Sequence, residues 1–512
     1  MVDKLPEDID RMTDVAMMRT MLEQLVEMGK SSQKSIEKLT QTIEQLQETI
    51  ELKDAEIANL KRMLFGKKSE RISPIDREVK KRRKKDDAKK KQDKEAADKK
   101  RKENADAKKK LPREKKTHPA DPAECQCPVC GSSEYKRLAD EVSYEVEYVP
   151  AHFKLIEHHR EQWVCACGEH FVSGPAPARV SEGVQYGPGM HAHTVVSKCL
   201  DSIPFYRLSK QLGRSGVIVC RSTLCDMFHR MAELLTPVYD RIIALIGESQ
   251  YVNADETRIK MQAKEKTKEA YIWVFIAEKL IGYVFSAGRS GETPVKVLGD
   301  STGVLQVDQY SGYNQVTTPD KRHRAGCLAH MRRKFFEAKN KAPEVAKWVL
   351  EKTVDIYEVE YDAAAENILG TDKHLAMRQV RSAALMKELK EYLEAERSKH
   401  LPKGPMGKAI SYAVDNWDAM SLFLSDPKIR LDNNISEGQL RLIALGRKNY
   451  LFVGDDVKGQ NLAVLQTLVA TCVANDVNPE NYLADVVMRI QAHPQSRLDE
   501  LLPNNWKPPP GD

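Results

Sequence analysis

The chain has 512 residues, of which 41% are hydrophobic and 30% charged, and its net charge is +6. This length and hydrophobic content exclude a disordered chain and predict several domains with at least one sizeable core. The N-terminus lacks the basic-then-apolar order of a secretory signal, and the apolar stretch at residues 461–474 is too short to cross a bilayer. We therefore expect a soluble cytoplasmic protein without a membrane partner.

Residues 12–66 show the heptad pattern of a coiled coil. Apolar residues alternate at three and four positions, as in Ile36, Leu39, Ile43, Leu46 and Ile50. Isoleucine at a and leucine at d favour parallel two-stranded pairing, which predicts a homodimer or a higher homo-oligomer. The alternative is a single amphipathic helix packed on its own domain.

Residues 67–117 form a highly charged linker. Between positions 80 and 116 there are twenty Lys or Arg against eight Asp or Glu, a net charge of +12, which leaves −6 for the rest of the chain. Such a segment suits contact with a polyanion, because each cation that meets a phosphate releases counterions. The alternative is a solvated linker that extends by self-repulsion.

Residues 118–178 carry five of the ten cysteines. The preferred ligands of a structural Zn²⁺ are Cys127, Cys130, Cys165 and Cys167, which would complete a tetrahedral zinc ribbon. The second pair is Cys-x-Cys and the gap between the pairs is long. Cys125 or His170 therefore remains an alternative ligand, and free thiols remain the alternative to a metal site.

Residues 179–245 predict two helices around Gly213-Arg-Ser-Gly216. The second helix begins near Arg221, and a helix-turn-helix would use it as the recognition helix in DNA. The alternative is a plain structural connection, because helix pairs with glycine turns are frequent.

Three acidic residues stand in unusual positions. Asp255 and Asp308 each end an apolar strand-like run, in Tyr251-Val-Asn-Ala-Asp255 and Gly303-Val-Leu-Gln-Val-Asp308. Glu437 lies at the start of a helix that follows several capping residues. Convergence of the three carboxylates would suit Mg²⁺ or Mn²⁺, and hence a two-metal phosphodiester site.

Local roles also explain some of these acids. Glu256 follows Asp255, so either acid of that pair is a candidate ligand, and we favour Asp255. Glu437 has capping-box spacing to Asn434 and ion-pair spacing to Arg441.

The elements from residue 246 to 475 predict a catalytic α/β domain. The strand at Asp255 is followed by apolar runs at 270–277 and 281–287, and then by the strand at Asp308. This is the order of a ribonuclease H-like core, in which the first and fourth strands are neighbours. Residues of about 338–428 have helical spacing and predict a helical insertion, and residues 476–512 predict a C-terminal helix and tail.

The chain resembles transposases of the insertion-sequence-66 family, DDE-type enzymes with a ribonuclease H-like fold. The motifs that carry the resemblance, in chain order, are Leu64-Phe-Gly-Lys-Lys-Ser-Glu-Arg71, Ala254-Asp-Glu-Thr257, Asp308-Gln-Tyr-Ser-Gly-Tyr313, Gly326-Cys-Leu-Ala-His-Met-Arg-Arg-Lys-Phe335, Leu401-Pro-Lys-Gly-Pro405, Asn433-Asn-Ile-Ser-Glu437 with Arg441, Gly446-Arg-Lys-Asn449, Asn478-Pro-Glu-Asn-Tyr-Leu483 and Leu501-Leu-Pro503. Gly404 and the extra Cys125 depart from the family pattern.

This resemblance implies DNA transposition with Asp255, Asp308 and Glu437 as the acidic triad. Its partners would be the DNA ends of the element, target DNA and accessory proteins of the same element, in a nucleoid-associated enzyme if the source is bacterial. His330 would position a strand or fill a structural pocket. Candidate DNA contacts are Arg221, Arg332, Arg333, Lys334, Arg441, Arg447 and Lys448. The alternatives are a non-catalytic DNA-binding regulator and a nuclease that cuts without joining.

Overall fold

A computed structural model describes residues 15–65, 74–83, 153–164, 171–181 and 185–508. It also describes the positions 95, 98, 99, 101–103, 106, 169 and 183. The chain separates into two compact units. The first comprises Met1–Val79, Glu248–Asp255 and Pro294–Glu437. The second comprises Lys80–Gly247, Glu256–Thr293 and Gly438–Asp512.

The N-terminal segment is one long helix, α1 (Val15–Phe65), followed by the short helix α2 (Pro74–Arg83). The heptad positions Ile36, Leu39, Ile43 and Leu46 are exposed along α1, each by more than half of its surface. This confirms the helix and shows that these side chains are uncovered within a single chain. Pairing through them remains a prediction.

A five-stranded mixed sheet forms the centre of the α/β region, and four of its strands contain the predicted apolar runs. Its strands are β3 (Tyr251–Gln262), β4 (Thr267–Ala277), β5 (Leu280–Ser286), β6 (Gly303–Gln306) and β7 (Arg322–Ala325). The order across the sheet is β5-β4-β3-β6-β7. β3 pairs with β6 in parallel from Tyr251 to Asn253, so the first and fourth strands of this region are neighbours. β4 and β5 form an antiparallel hairpin, and β6 pairs with β7 in parallel.

In the first unit, helices surround the parallel strands. They are α6 (Glu292–Leu298), of which this unit holds residues from Pro294, α7 (Leu328–Ala338), α8 (Pro343–Ala365), α9 (Asp372–Met377), α10 (Ala383–Arg397), α11 (Pro405–Val414) and α12 (Trp417–Ser421). Shorter turns are the 3₁₀ helices Ser311–Val316 and Leu422–Leu424 and the π-helical turn Arg378–Ser382. One apolar core joins them, with Phe335, Ile356, Leu389 and Ile410 fully buried. Residues 338–428 are thus largely helical.

In the second unit, the β4–β5 hairpin packs on helix α14 (Asp456–Ala474). Thr467 Oγ1 on α14 accepts a hydrogen bond from the backbone N–H of Tyr283 on β5 at 2.8 Å. The other helices are α3 (Pro188–Cys199), α4 (Phe205–Arg214), α5 (Arg221–Glu248), α13 (Asn434–Tyr450) and α15 (Pro479–Arg489), with a final 3₁₀ helix at Gln495–Leu501. This unit holds α5 up to Gly247 and α13 from Gly438. The predicted C-terminal helix is α15.

The helix pair α4 and α5 has its own small core of Leu208, Leu212, Leu224 and Met227. Gly216 has φ +89° in the turn between them, a conformation that favours glycine. Two helices joined by a glycine turn are therefore present, and Arg221 is exposed at the start of α5. Within the part of the chain that is described, no helix is long and apolar enough to cross a membrane.

Candidate functional site

Asp255 lies within β3 and not at its end, which corrects the sequence prediction. The ladder between β3 and β6 stops at Asn253, but β3 continues to Gln262. The alternation of buried Ile259 and Met261 with exposed neighbours extends the strand, and this signal was already visible in the sequence. Asp255 is partly buried just beyond the last residue paired with β6.

Glu256, the alternative to Asp255, is held in an ion pair. Arg289 Nε donates to Glu256 Oε1 at 2.9 Å, and the Glu256 side chain is only 2% exposed. Because a buried carboxylate needs such a partner, the pair explains Glu256 as part of the fold of the second unit.

Asp308 lies two residues beyond the end of β6, as expected for a strand-end carboxylate. Its Oδ1 accepts a hydrogen bond from the backbone N–H of Tyr310 at 2.9 Å, which fixes the turn after the strand. The side chain is partly buried. One carboxylate oxygen is thus engaged in holding the loop.

Glu437 lies in the first turn of α13, but its local partners differ from those predicted. Asn433, the residue before the helix, accepts hydrogen bonds at its backbone oxygen from the N–H groups of Ser436 and Glu437. The prediction of a capping box between Asn434 and Glu437 is therefore wrong. Within the described chain, Glu437 pairs with Arg333 at 3.3 Å and His330 at 3.6 Å on α7, and not with Arg441.

Asn433 connects the segment of Glu437 to the strand of Asp255. Its Nδ2 donates to the backbone oxygen of Ala254 at 2.6 Å, and its Oδ1 accepts from Ser436 Oγ at 2.8 Å. The residue is fully buried. Sequence reasoning missed this role, because Asp432-Asn-Asn offers three adjacent capping candidates and the contact to β3 is distant along the chain.

His330 is close to two of the three acids, Asp308 and Glu437. Burial lowers the pKa of His330, and nearby Arg333 lowers it further, while Glu437 and Asp308 partly oppose the shift. Its Nδ1 is buried and has no hydrogen-bond partner among the described residues. The burial of His330 therefore favours the uncharged form of its imidazole.

The three acids supply the oxygen ligands that Mg²⁺ and Mn²⁺ prefer, so their chemistry fits a divalent cation. Among the described residues, however, no group of three His, Cys, Asp or Glu side chains is gathered closely enough to hold a metal ion. Glu437 is instead paired with the guanidinium of Arg333 at 3.3 Å.

The three consecutive cations on α7 have different environments. Arg332 is buried and donates to Glu78 on α2 at 2.8 Å, so it stabilises the fold. This burial disagrees with its prediction as a DNA contact. Arg333 is exposed and pairs with Glu437. Lys334 is exposed, with its Nζ 4.5 Å from the centre of the Tyr412 ring.

The predicted cationic contacts of the second unit also separate into two groups. Arg447 donates to Thr257 Oγ1 at 3.0 Å and to the backbone oxygen of Arg258, so it joins α13 to β3. Arg441 and Lys448 are exposed, as is Arg221. A phosphate contact by Arg447 would have to compete with its contacts to β3.

A cavity of about 520 Å³ lies in the first unit and is lined in part by Gln309, the residue after Asp308. Its lining includes Gln309, Asn314, Arg324 and Trp417. Among the described residues, the side chains of Gln309 and Arg324 each retain one buried nitrogen without a hydrogen-bond partner. The lining also carries Lys390, Glu394, Asp415 and Asp418, so its acids outnumber its cations by three to two.

The predicted zinc ligands Cys127, Cys130, Cys165 and Cys167, and their alternatives Cys125 and His170, lie outside the described residues. Near them the structure describes a two-stranded antiparallel sheet, β1 (Gln162–Val164) with β2 (Phe171–Ser173).

Comparison with known proteins gives consistent matches along the chain. Residues 183–461, more than half of the chain, match the model of the "Transposase IS66 family". Residues 467–504 match the "IS66 C-terminal element", and residues 124–168 match the "zinc-finger binding domain of transposase IS66". The zinc-finger match spans all five clustered cysteines and indicates Zn²⁺ binding.

Two proteins of Sinorhizobium fredii (strain NBRC 101917 / NGR234) are among the similar sequences. "Uncharacterized protein y4hP" is 32% identical over 412 residues, covering 75% of this chain and 74% of the relative. "Uncharacterized protein y4jD" is 31% identical over 509 residues, covering 92% of this chain and 98% of the relative. The mixed α/β domain and the zinc-finger segment, with these matches, define a transposase, a class of DNA-processing enzyme. Within that class the chain belongs to the IS66 family.

Proposed function

We propose that this chain is a DDE transposase that cuts the DNA ends of its element and joins them to target DNA. Asp255, Asp308 and Glu437 hold Mg²⁺ or Mn²⁺ on a ribonuclease H-like sheet. The observation that carries the proposal is the hydrogen bond from Asn433 to Ala254, which ties the segment of Glu437 to the strand of Asp255. The strand order β5-β4-β3-β6-β7, with β3 beside β6, supports the fold assignment.

Bound divalent cations would lower the pKa of the attacking water or DNA 3′-hydroxyl and stabilise charge on the leaving oxygen. The protein's own groups position the reactants. Asp308 and Glu437 neighbour His330, whose imidazole would help to position a DNA strand. Glu437 would serve as a ligand in place of its ion pair with Arg333, and Arg333 would then be available to a DNA phosphate. This chemistry needs no covalent protein intermediate.

The remaining segments bring DNA to this site. We propose that α1 pairs two chains, that the Zn²⁺ ribbon and the α4–α5 helix pair bind element ends, and that the basic linker contacts DNA phosphates. The proposed organisation has the domain limits 12–66, 67–117, 118–178, 179–245, 246–475 and 476–512. Accessory proteins of the same element are further candidate partners.

The test is a cleavage and joining assay on labelled DNA that carries the ends of the element. Asp255→Asn, Asp308→Asn and Glu437→Gln are each expected to abolish both steps while DNA binding persists. Asp300→Asn is the matched control, because its side chain is 94% exposed, and it should remain active. Undiminished cleavage in all three variants would reject the proposal. Wild-type binding without cleavage would support a regulator, and cleavage without joining a nuclease.

A further inference from the structure

The hairpin between β3 and β4 carries a concentrated positive charge. Its exposed cations are Arg258, Lys260, Lys264, Lys266 and Lys268, against two acids, Glu265 and Glu269. The backbone N–H of Ala263 donates to the oxygen of Lys266 at 2.8 Å and closes the turn. The net charge of the hairpin is thus +3, whereas the chain outside residues 80–116 has a net charge of −6.

The hairpin has a firm base within the second unit. Ile259 and Met261 are buried on one face of β3, so alternate residues point to the exposed face. Val453 follows α13 and pairs with this strand, accepting from Gln262 N and donating to Lys260 O, both at 2.9 Å. The cations are therefore presented by a fixed backbone, which reduces the entropy lost on binding.

Lysines on an exposed hairpin also serve to prevent aggregation, and this is the main alternative. Arg258 has an acidic partner, Glu269, at 3.4 Å. Within the part of the chain that is described, Lys264, Lys266 and Lys268 make no ion pair. Three uncompensated cations at one tip favour an anionic partner.

We propose that this hairpin binds the phosphate backbone of duplex DNA without reading its sequence. The proposal rests on the DNA-processing function proposed above. Lysine acts as a point charge toward phosphate, and phosphate contacts position DNA without carrying sequence information. The hairpin would add an anchoring contact separate from those of the α4–α5 pair and the basic linker.

The test compares two triple variants of the full chain. Lys264→Gln, Lys266→Gln and Lys268→Gln together remove the tip charges. Lys347→Gln, Lys373→Gln and Lys387→Gln form the matched control, because these lysines are exposed on helices α8 to α10. Binding to two unrelated duplexes of about 30 base pairs is measured by fluorescence anisotropy between roughly 50 and 200 mM salt. Unchanged thermal midpoints establish that both variants fold.

We expect the tip variant to reduce the magnitude of the slope of log K against log salt concentration by about 2.7, because each of its three phosphate contacts contributes about 0.9. The control should change the slope by less than about 1, and both duplexes should behave alike. An unchanged slope in the tip variant, an equal fall in the control, or a loss confined to one duplex would overturn the hairpin proposal. Failure of the wild type to bind either duplex would instead contradict the DNA-processing function itself.

Discussion

Asn433 Nδ2 lies 2.6 Å from the backbone oxygen of Ala254, and this hydrogen bond joins the start of α13 to β3. Asn433 is fully buried, and it is four residues before Glu437, while Ala254 precedes Asp255. The positions of two proposed metal ligands therefore depend on one amide side chain.

Replacing Asn433 by alanine should destabilise the first unit and reduce activity. The Ala254 oxygen would lose its donor inside the protein, which costs about 1–3 kcal/mol. Urea unfolding measures the stability, and the cleavage assay measures the activity. Asn434→Ala is the control, because within the described chain the Asn434 side chain bonds to Asp432, two residues away. Equal effects of the two substitutions would contradict a special role for Asn433.

Arg333→Gln should tighten the binding of divalent cations. Arg333 neutralises Glu437 across 3.3 Å, and an exposed pair of this kind is worth about 0.2–1 kcal/mol. Its removal should lower the apparent Kd for Mn²⁺ by up to about fivefold, measured by calorimetry or electron paramagnetic resonance. Lys334→Gln removes a neighbouring cation that does not pair with Glu437 in the described chain, and it should change the Kd less. A weaker affinity for Mn²⁺ in Arg333→Gln would contradict this account.

The pair of His193 and Glu480 should make the stability of the second unit depend on pH. The hydrogen bond from His193 Nδ1 to Glu480, at 2.8 Å, raises the pKa of His193 and lowers the pKa of Glu480. The histidine contribution is complete below its ordinary pKa of 6.5 and is lost as pH rises through the raised value. The glutamate contribution is complete above its ordinary pKa of 4.5 and is lost as pH falls through the lowered value.

The stabilisation is therefore greatest between pH 4.5 and 6.5. Urea unfolding should show that Glu480→Gln destabilises the protein within this window, and that the effect shrinks at alkaline pH. His193→Gln should show the same profile, and the double variant should add little. A destabilisation that is constant with pH would indicate packing in place of the ion pair.

Zinc content should depend on four cysteines. Full-length protein should contain about one Zn²⁺ per chain, because four thiolates complete one tetrahedral site. Serine at Cys127, Cys130, Cys165 or Cys167 should lower that content, as measured by elemental analysis. Cys125→Ser should retain the metal. If Cys125→Ser loses zinc and one of the four other variants retains it, then Cys125 is the ligand in place of that cysteine.

Pairing of α1 should depend on its exposed apolar seam. Leu39→Asp with Leu46→Asp places charges at two d positions, which should convert a dimer to a monomer in sedimentation analysis. Gln41→Asp and Gln45→Asp, on the same helix but outside the seam, should leave the dimer intact. A wild-type chain that sediments as a monomer would contradict the pairing.

Strands β4 and β5 were predictable, because long apolar runs bounded by polar residues are typical of buried strands. The length of β3 was not predicted correctly, because its second half beyond Asp255 alternates buried and exposed residues. The partners of Glu437 could not be predicted from the sequence. The pattern within α13 indicated Arg441 one turn away, whereas the structure places Arg333 and His330 of another helix against it. Sequence also could not separate Arg332 from Arg333, because only the packing of α7 decides that Arg332 is buried beside Glu78.

The most direct test of the central claim is metal-specific rescue at the three acids. Asp255→Cys, Asp308→Cys and Glu437→Cys replace a hard oxygen ligand by a softer thiolate, which disfavours Mg²⁺ relative to Mn²⁺. Cleavage of labelled element ends should be lost with Mg²⁺ in each variant and partly restored with Mn²⁺. Full cleavage with Mg²⁺ in the three variants would contradict their role as metal ligands and, with it, the proposed DDE mechanism.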